Sequence, residues 1–386
     1  MPADPKLAHV AKELVAESPL TGCRFDPTGK FVFATSQSSG IFRWELDGGK
    51  RIAFTGHESW VLDLAITSDG QTLISAGGDD HLVWWSAAAE APLATKKVKA
   101  HEGWIRSVAL SPDGKLVASG GNDRMVRLWD AADGKKVQEF PGAERDIYSV
   151  IFHPSGEWLL AGDLDGKIRQ WEVATGKLVR TFDASPLHSY NEGQQVHYGG
   201  VRALAFSPDA KWLSAGGLHK ATNPLGNVQQ PLVLRFDWES EKSIRNHLTD
   251  ATNERVWKLH YHADGFLIGC IGGAKGQLVF WKEAEEKPFH VFALPNTARG
   301  MSAHPDGLQV ATAHADSKLR ITKLAAKTEA RAGARVRAHP GVNQSSPGLQ
   351  PDSRVFGLKP WTTLRPAAPL RSFAHRARIV RNTPDT

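Results

Sequence analysis

The chain has 386 residues, of which 41% are apolar, enough to bury the core of one large β domain or two ordinary domains. Its two cysteines, Cys23 and Cys270, are too few for a disulfide framework, and neither has Cys or His neighbours at zinc-ligand spacing. No segment has the about 18 consecutive apolar residues of a membrane helix, nor the pattern of a signal peptide, so we expect a cytoplasmic protein without membrane contacts.

Positive charge is concentrated at one end of the chain. The formal net charge is +6, but residues 326–386 carry eleven Lys and Arg against three acidic residues, a net charge of +8. Residues 1–325 are therefore slightly acidic, with a net charge of −2. The basic composition belongs to the tail and gives no reason to expect that the folded body binds nucleic acid.

After a predicted strand in residues 6–16, tryptophan recurs along the chain at regular intervals. The intervals are 41, 44, 42, 67 and 43 residues, and the positions are Trp44, Trp85, Trp129, Trp171, Trp238 and Trp281. The long interval becomes normal once about 24 inserted residues are subtracted. A seventh unit keeps Thr312 and Asp316 but has Thr322 where tryptophan is expected. Seven units with this period indicate a β-propeller.

Each unit contains four short β-prone runs. In the third unit they are IRSVAL, KLVAS, MVRLW and KVQEF, separated by the turn-forming SPDG, GGND and AADG. A single four-stranded sheet cannot bury both of its faces, whereas seven sheets packed radially can. We therefore predict an all-β fold in residues 1–325, a seven-bladed β-propeller of four-stranded antiparallel blades.

Several motifs together resemble those of the WD-repeat β-propellers. They are Gly56-His57, the SPDG turns, an Asp six residues before Trp in repeats 2 to 4, and RLWD at 127–130. The resemblance covers about residues 7–325 and implies that the N-terminal segment closes the ring, because such domains usually take the outer strand of the last blade from the N-terminus. Repeat 7 stops after its third strand, near Leu324, so residues 6–16 are expected to supply its fourth.

Four polar and aromatic residues recur with identical spacing in repeats 2 and 3. They are His57, Ser75, Asp79 and Trp85, and 44 residues later His101, Ser119, Asp123 and Trp129. The resemblance implies that each set forms a hydrogen-bonded structural tetrad inside its blade. A catalytic group is needed once, at a cleft, whereas this pattern recurs. We therefore assign no catalytic residue and predict that the protein is not an enzyme. Repeats 1, 4, 5 and 6 lack the histidine or the serine, so their tetrads are expected to be incomplete.

The start of the first strand of each blade is expected to line the channel mouth on one face, here called the top face. Trp, Tyr and Arg at such positions are typical of binding hot spots. The predicted partner-binding residues of the top face are Trp60, Leu62, Trp104, Arg106, Asp146, Tyr148, Arg202, Arg255, Trp257 and Arg299. The alternative is that some of these tryptophans only cap the channel. Four arginines against one aspartate favour a partner segment with acidic character.

Repeat 5 carries two insertions that are predicted to be long loops on the top face. Residues 183–200 are about twelve longer than their counterpart in repeat 4, and residues 219–231 contain about thirteen extra. We expect them to give specificity through His188, Tyr190, Glu192, His197, Tyr198, His219 and Lys220. Solvated insertions packed on blades 4 or 6 are the alternative. His188, His197 and His219 could also converge on a metal, but no spacing enforces this, so we assign no metal and no cofactor.

Residues 326–386 form a basic tail rich in Ala, Arg and Pro. Seven prolines disfavour long helices and central strands, so we predict that this tail is disordered. Three interpretations remain open for it: an extension without function, an electrostatic arm for nucleic acid, or a docking segment that uses Phe356, Trp361 and Phe373.

These observations predict a non-enzymatic scaffold that binds a protein or peptide partner through the top face, as a monomeric propeller within a complex. Two alternatives from other classes stay open. One is a propeller, with or without enzymatic activity, that binds a metal or small ligand at the blade 5 insertions. The other is a nucleic-acid binder that acts through the tail.

Overall fold

The computed structural model describes residues 2–223, 228–251 and 253–326, and within these ranges it contains seven four-stranded antiparallel sheets arranged in a ring. The predicted all-β, seven-bladed propeller is confirmed. No helix in the described ranges has the length and apolar character needed to cross a membrane. Residues 327–386 lie outside the described residues, so the predictions for the tail stay predictions.

The strands follow one another blade by blade, from the channel outward. The strands of blades 1 and 2 are β2 (Leu20–Phe25), β3 (Phe31–Ser36), β4 (Gly40–Glu45), β5 (Arg51–Thr55), β6 (Val61–Ile66), β7 (Thr72–Gly77), β8 (His81–Ser86) and β9 (Ala94–Lys99). Those of blades 3 and 4 are β10 (Ile105–Leu110), β11 (Leu116–Gly121), β12 (Val126–Asp130), β13 (Lys136–Phe140), β14 (Ile147–Phe152), β15 (Trp158–Asp163), β16 (Lys167–Glu172) and β17 (Leu178–Asp183).

Blade 5 is preceded by an additional hairpin, and blade 7 takes one strand from the N-terminus. The hairpin consists of β18 (His188–Asn191) and β19 (Val196–Gly199). The strands of blades 5 and 6 are β20 (Ala203–Phe206), β21 (Trp212–Asn223), β22 (Val228–Asp237), β23 (Ser243–His247), β24 (Glu254–His262), β25 (Phe266–Gly273), β26 (Gly276–Lys282) and β27 (His290–Leu294). Those of blade 7 are β28 (Ala298–Ala303), β29 (Gln309–His314), β30 (Lys318–Lys323) and β1 (His9–Val15).

The core lies between blades, which explains why the second and third strands of a blade are apolar on both faces. In β7 and β8 nine of the twelve residues are buried, and the adjacent Trp84 and Trp85 are both buried although they point to opposite faces. The outermost strand β9 instead has no buried residue, and four of its six residues are exposed. Neighbouring blades thus cover both faces of each central strand, and only the outer edge faces solvent.

The N-terminal strand β1 is the outer strand of blade 7. It pairs antiparallel with β30, with Leu14 opposite Leu319, and the side chains of Leu14 and Ala16 join the apolar core between blades 7 and 1. The Glu13 carboxylate accepts hydrogen bonds from Lys318 Nζ and Arg320 Nε, each at 2.7 Å. The two ends of the propeller sequence are therefore joined within one sheet.

The prediction that the two insertions of blade 5 are loops is wrong for most of their length. The first contains a short 3₁₀ turn, Ser185–Leu187, and then the β18–β19 hairpin, while the second extends β21 and β22. Polar and aromatic residues such as those of HSYN and VHYG pair readily as strands once a turn joins them. The hairpin returns to the blade through Gly199 and Gly200, which have positive φ angles, and a Cβ on Gly199 would lie 2.0 Å from the Leu187 carbonyl oxygen.

Candidate functional site

A pocket of 430 Å³ occupies the mouth of the central channel on the top face. All of the predicted top-face residues line it except Asp146, which lies 3.8 Å from Arg106 (Oδ2 to Nη2). The residues that line the pocket are Thr21, Gln37, Trp60, Leu62, Trp104, Arg106, Tyr148, Arg202, Arg255, Trp257, Lys258, Gly273, Thr297 and Arg299. The volume is sufficient for one or two side chains of a partner.

A β-bulge in the innermost strand places one residue of most blades at this mouth. The pairing of the innermost strand with the second strand shifts by one residue near its start in every blade except blade 5. The bulged residues are Thr21, Leu62, Arg106, Tyr148, Trp257 and Arg299, and in blade 5 Arg202 precedes β20 at the corresponding place. A bulged residue leaves the ladder, so its side chain is free to face the pocket.

Aromatic rings and guanidinium groups alternate around the rim. The rings of Trp60 and Trp104 are 5.8 Å apart, and the Arg106 guanidinium lies 4.7 Å from the centre of the Tyr148 ring. The Arg202 guanidinium lies between two further rings, 4.4 Å from the centre of the Tyr148 ring and 5.6 Å from that of Trp257. Cation–π contacts hold the guanidinium groups in place without neutralising them.

The arginines of the pocket retain a net positive charge. Arg202, Arg255 and Arg299 form no ion pair with any described carboxylate, and the Nε atoms of Arg202 and Arg255 have no described hydrogen-bond partner. Burial lowers the pKa of Arg202 to about 10 and also lowers the pKa of Arg255 and Arg299. All three remain cationic at neutral pH, in surroundings where water screens their charge poorly.

Two polar groups from opposite blades meet below the mouth. Lys258 Nζ of blade 6 lies 3.4 Å from Asp63 Oδ1 of blade 2, and Asp63 also accepts hydrogen bonds from Ser107 Oγ and the Val108 amide. The sequence interpretation did not select Lys258, although it directly follows the bulged Trp257. Alternation of side chains after the bulge is the signal that could have identified it.

The two complete sets of tetrad residues are hydrogen-bonded within their blades. In blade 2, Trp85 Nε1 donates to Ser75 Oγ at 2.9 Å, the Ser75 hydroxyl contacts His57 Nε2 at 2.8 Å, and His57 Nδ1 contacts Asp79 Oδ1 at 2.9 Å. Blade 3 repeats this chain through Trp129, Ser119, His101 and Asp123, with distances of 2.8, 2.7 and 2.8 Å. Each buried polar atom of these two tetrads has a hydrogen-bond partner, which is the requirement for a stabilising network.

Replacing the hydroxyl at the centre of a tetrad is expected to destabilise the propeller. Ser75→Ala leaves the Trp85 indole N–H and one imidazole nitrogen of His57 buried without a partner, so the free energy of unfolding should fall by about 2–4 kcal/mol. Ser86→Ala is the matched control, because Ser86 is exposed in the same blade. Urea unfolding of both variants measures the difference, and equal stabilities would show that the tetrad contributes nothing.

Blade 4 keeps the tetrad aspartate and tryptophan but lacks the histidine and the serine. At the offsets from Trp171 where blades 2 and 3 have His and Ser, blade 4 has Ala143 and Ala161. The retained carboxylate, Asp165, faces two histidines of the hairpin instead: its Oδ1 lies 3.7 Å from His188 Nε2 and 3.6 Å from His197 Nδ1. These two nitrogens are 2.9 Å apart. Burial is the main cause that lowers the pKa of His188 below its usual value.

The other predicted blade 5 residues do not form one cluster. Tyr190 packs its ring 4.6 Å from that of His197, and the Tyr198 hydroxyl donates to Gln194 Oε1 at 3.0 Å, while Glu192 lies exposed near the tip of the hairpin. His219 and Lys220 lie on the extension of β21. The sequence suggested that His188, His197 and His219 could converge, and this is wrong for His219: the third member of the cluster is Asp165.

A family model described as WD domain, G-beta repeat matches four segments of the chain, residues 49–86, 92–130, 134–172 and 185–220. The first three segments each contain the outer strand of one blade and the three inner strands of the next. A comparison with curated proteins gives no match.

Proposed function

From the premise that this chain belongs to the WD-repeat family, whose propellers typically serve as protein-interaction scaffolds, we propose that it binds a protein or peptide partner in the top-face pocket. The single observation that carries the proposal is the rim of alternating arginines and aromatic rings around a 430 Å³ pocket. Trp, Tyr and Arg in a concave site provide large contact areas and directed hydrogen bonds.

The charge of the pocket indicates the kind of partner. Three guanidinium groups of the pocket have no described carboxylate partner, whereas Lys258 is paired with Asp63. A partner segment therefore binds most favourably if it carries an Asp, a Glu or a phosphorylated side chain. The aromatic rings favour an apolar residue next to that acidic one. We therefore propose a short acidic segment as the partner, bound without chemical conversion.

We infer that the hairpin of blade 5 adds specificity to this binding. It leads through Gly199, Gly200 and the buried Val201 to Arg202, which lines the pocket. Tyr190 and Val196 are exposed on it, at 48% and 40% of their accessible surface. An exposed aromatic and an exposed aliphatic side chain beside a binding pocket offer a second contact for a longer partner.

A double variant of blade 3, Trp104→Ala with Arg106→Ala, tests the proposal. We expect partner affinity to fall by about 30-fold or more, because residues at such hot spots contribute at least about 2 kcal/mol. The partner is first captured from the native cell extract, identified, and then titrated against purified variants. The matched control is Lys136→Ala with Val137→Ala, on the exposed outer strand of the same blade.

A chain that ends at residue 325 separates this proposal from binding through the tail. The top-face proposal requires that the shortened chain keeps the partner and that the double variant loses it. Loss of the partner on truncation, with full affinity in the double variant, would move the binding site to the tail. Affinity that falls steeply with salt would then indicate a polyanion such as nucleic acid.

A further inference from the structure

The carboxylate of Asp165 has lost the role that its counterparts perform. Asp79 and Asp123, at the same offset from their tryptophans, each accept a hydrogen bond from the buried tetrad histidine of their own blade. Blade 4 has Ala143 in place of that histidine, so Asp165 has no partner of this kind in its blade. Its Oδ1 atom is buried and forms no hydrogen bond with a described residue. A buried oxygen in this state calls for an explanation.

A second aspartate has taken over the internal contacts of blade 4. In blade 3, Arg127 Nη1 donates to Asp123 at 2.5 Å. In blade 4, the corresponding Arg169 donates instead to Asp163, which stands where blade 3 has Gly121 and also accepts the Lys167 amide at 2.8 Å. Asp165 is thereby released from both the histidine and the arginine, and its Oδ1 points toward the hairpin.

The two histidines of the hairpin complete a triangle of ligand atoms with this oxygen. Its sides are 2.9 Å between His188 Nε2 and His197 Nδ1, 3.7 Å from His188 Nε2 to Asp165 Oδ1, and 3.6 Å from His197 Nδ1 to Asp165 Oδ1. One point in the plane of this triangle lies about 2.0 Å from all three atoms, within the range of zinc–nitrogen and zinc–oxygen bonds. The three side chains are partly exposed, although the Asp165 Oδ1 atom itself is covered.

We propose that Asp165, His188 and His197 form a binding site for a divalent transition-metal ion, with zinc as the best-matched ion. Two imidazole nitrogens and one carboxylate oxygen are a common ligand set for zinc, and three protein ligands leave a coordination position for water or for a partner side chain. Blade 4 and the hairpin supply the ligands jointly, so the ion also fastens the hairpin to the ring.

A hydrogen-bond chain through Arg145 describes the site without an ion. Arg145 Nη2 donates to His197 Nε2 at 3.1 Å, and Arg145 Nε donates to Asp165 Oδ2 at 3.3 Å. Since Arg145 can only donate, His197 Nε2 is the acceptor, which assigns the ring proton to Nδ1 and makes Nδ1 the donor to His188 Nε2. Metal binding through His197 Nδ1 requires the other neutral tautomer, in which the ring proton has moved from Nδ1 to Nε2, and Nε2 then no longer accepts from Arg145. The Arg145 side chain, 45% exposed, has room to withdraw into water.

Titration of Zn²⁺ into the chelator-treated full chain tests the site. We expect one saturable equivalent in the wild type, and a loss of affinity of at least about 100-fold in Asp165→Asn, His188→Gln and His197→Gln, since removing even an outer-shell partner costs about 10–100-fold. His219→Gln is the matched control, a histidine of the same blade outside the cluster. Co²⁺ provides a second readout, because its visible absorption reports the number of ligands directly.

Retention of the bound Zn²⁺ in all three ligand variants would overturn the proposal, as would the absence of saturable Zn²⁺ binding in the wild type. Equal losses in His219→Gln and in the ligand variants would also contradict it, because the ion would then be held elsewhere. Circular dichroism of each variant establishes that the propeller is folded, so that a lost equivalent reports on the ligands.

A variant of Arg145 distinguishes a metal site from a histidine pair that only stabilises the fold. The guanidinium carries a positive charge close to the proposed ion and accounts for the proton on His197 Nδ1, whereas its exposed contact with Asp165 is weak. Arg145→Gln is therefore expected to bind Zn²⁺ about 10-fold more tightly, because a positive charge close to the ion is removed. Weaker binding in this variant would contradict the assigned geometry.

Discussion

Deletion of residues 2–16 is expected to prevent formation of a soluble, cooperatively folded monomer. The deletion removes β1, which leaves the edge of β30 unpaired and exposes the apolar core around Leu319 and Ile321. The loss in the free energy of unfolding is expected to be comparable with the whole net stability of a domain, about 5–15 kcal/mol. Size-exclusion chromatography and circular dichroism should show aggregated or partly folded protein, because an unpaired apolar edge invites pairing between chains.

Two single substitutions at neighbouring positions of β1 test the contribution of this strand to stability without shortening the chain. Leu14 is buried between blades, so Leu14→Ala should lower the free energy of unfolding by about 2–5 kcal/mol. Val15 points outward and is 58% exposed, so Val15→Ala should change it by less than about 1 kcal/mol. Equal urea midpoints for the two variants would contradict the role assigned to this strand.

Acidification below about pH 6.5 is expected to destabilise the propeller through buried histidines. Burial lowers the pKa of His247 and of His314 to about 4. Both imidazoles already have neutral-state contacts: His247 Nδ1 lies 2.8 Å from the Glu285 carbonyl oxygen, and His314 contacts Thr312 Oγ1 at 2.8 Å and the Asn296 carbonyl oxygen at 2.9 Å.

The sign of this effect follows from the proton uptake of the two states. Above about pH 6.5 both states hold neutral imidazoles, and the full stability is present. Between about pH 6.5 and 4 the unfolded chain takes up protons that the folded chain refuses, so stability falls as the pH falls. Each histidine contributes at most about 3–4 kcal/mol, since the pKa is lowered from 6.5 to about 4 and one pKa unit corresponds to about 1.4 kcal/mol.

Urea unfolding at about pH 7 and about pH 4.5 measures this loss. In His314→Gln the difference in unfolding free energy between the two pH values should be smaller, because one of the groups that take up protons on unfolding is gone. The substitution also lowers stability at neutral pH, so the comparison is made on the difference between the two pH values. An unchanged difference would assign the acid sensitivity to other groups.

Features that repeat along the chain could be predicted from the sequence. The period of the tryptophans predicts the seven blades, and a constant offset from each turn predicts the rim, since a bulge of the same kind recurs where Arg106, Tyr148 and Trp257 enter the pocket. Each of these predictions depends on interactions within one unit or on its direct copy in the next. Repetition turns them into a pattern that alignment of the units reveals.

Features that depend on a single contact between units could not be predicted in the same way. Asp165 looks like an ordinary tetrad aspartate in the repeat, and only the arrangement in space shows that Asp163 has replaced it and that His188 and His197 face it. Nor does the spacing of His219 reveal that β21 carries it away from this cluster. The hairpin was missed because four-residue strands are too short for a convincing alternation of apolar and polar residues.

The bulges at the channel mouth separate recognition from folding. A bulged side chain takes no part in the ladder, so a substitution there alters the surface that a partner meets while the hydrogen bonds that align the blade stay intact. The six bulged residues and Arg202 all line the pocket, and those that do not contact one another can be varied separately. Ligand preference can thus be changed one blade at a time, and a library randomised at these positions should yield folded variants with new specificities.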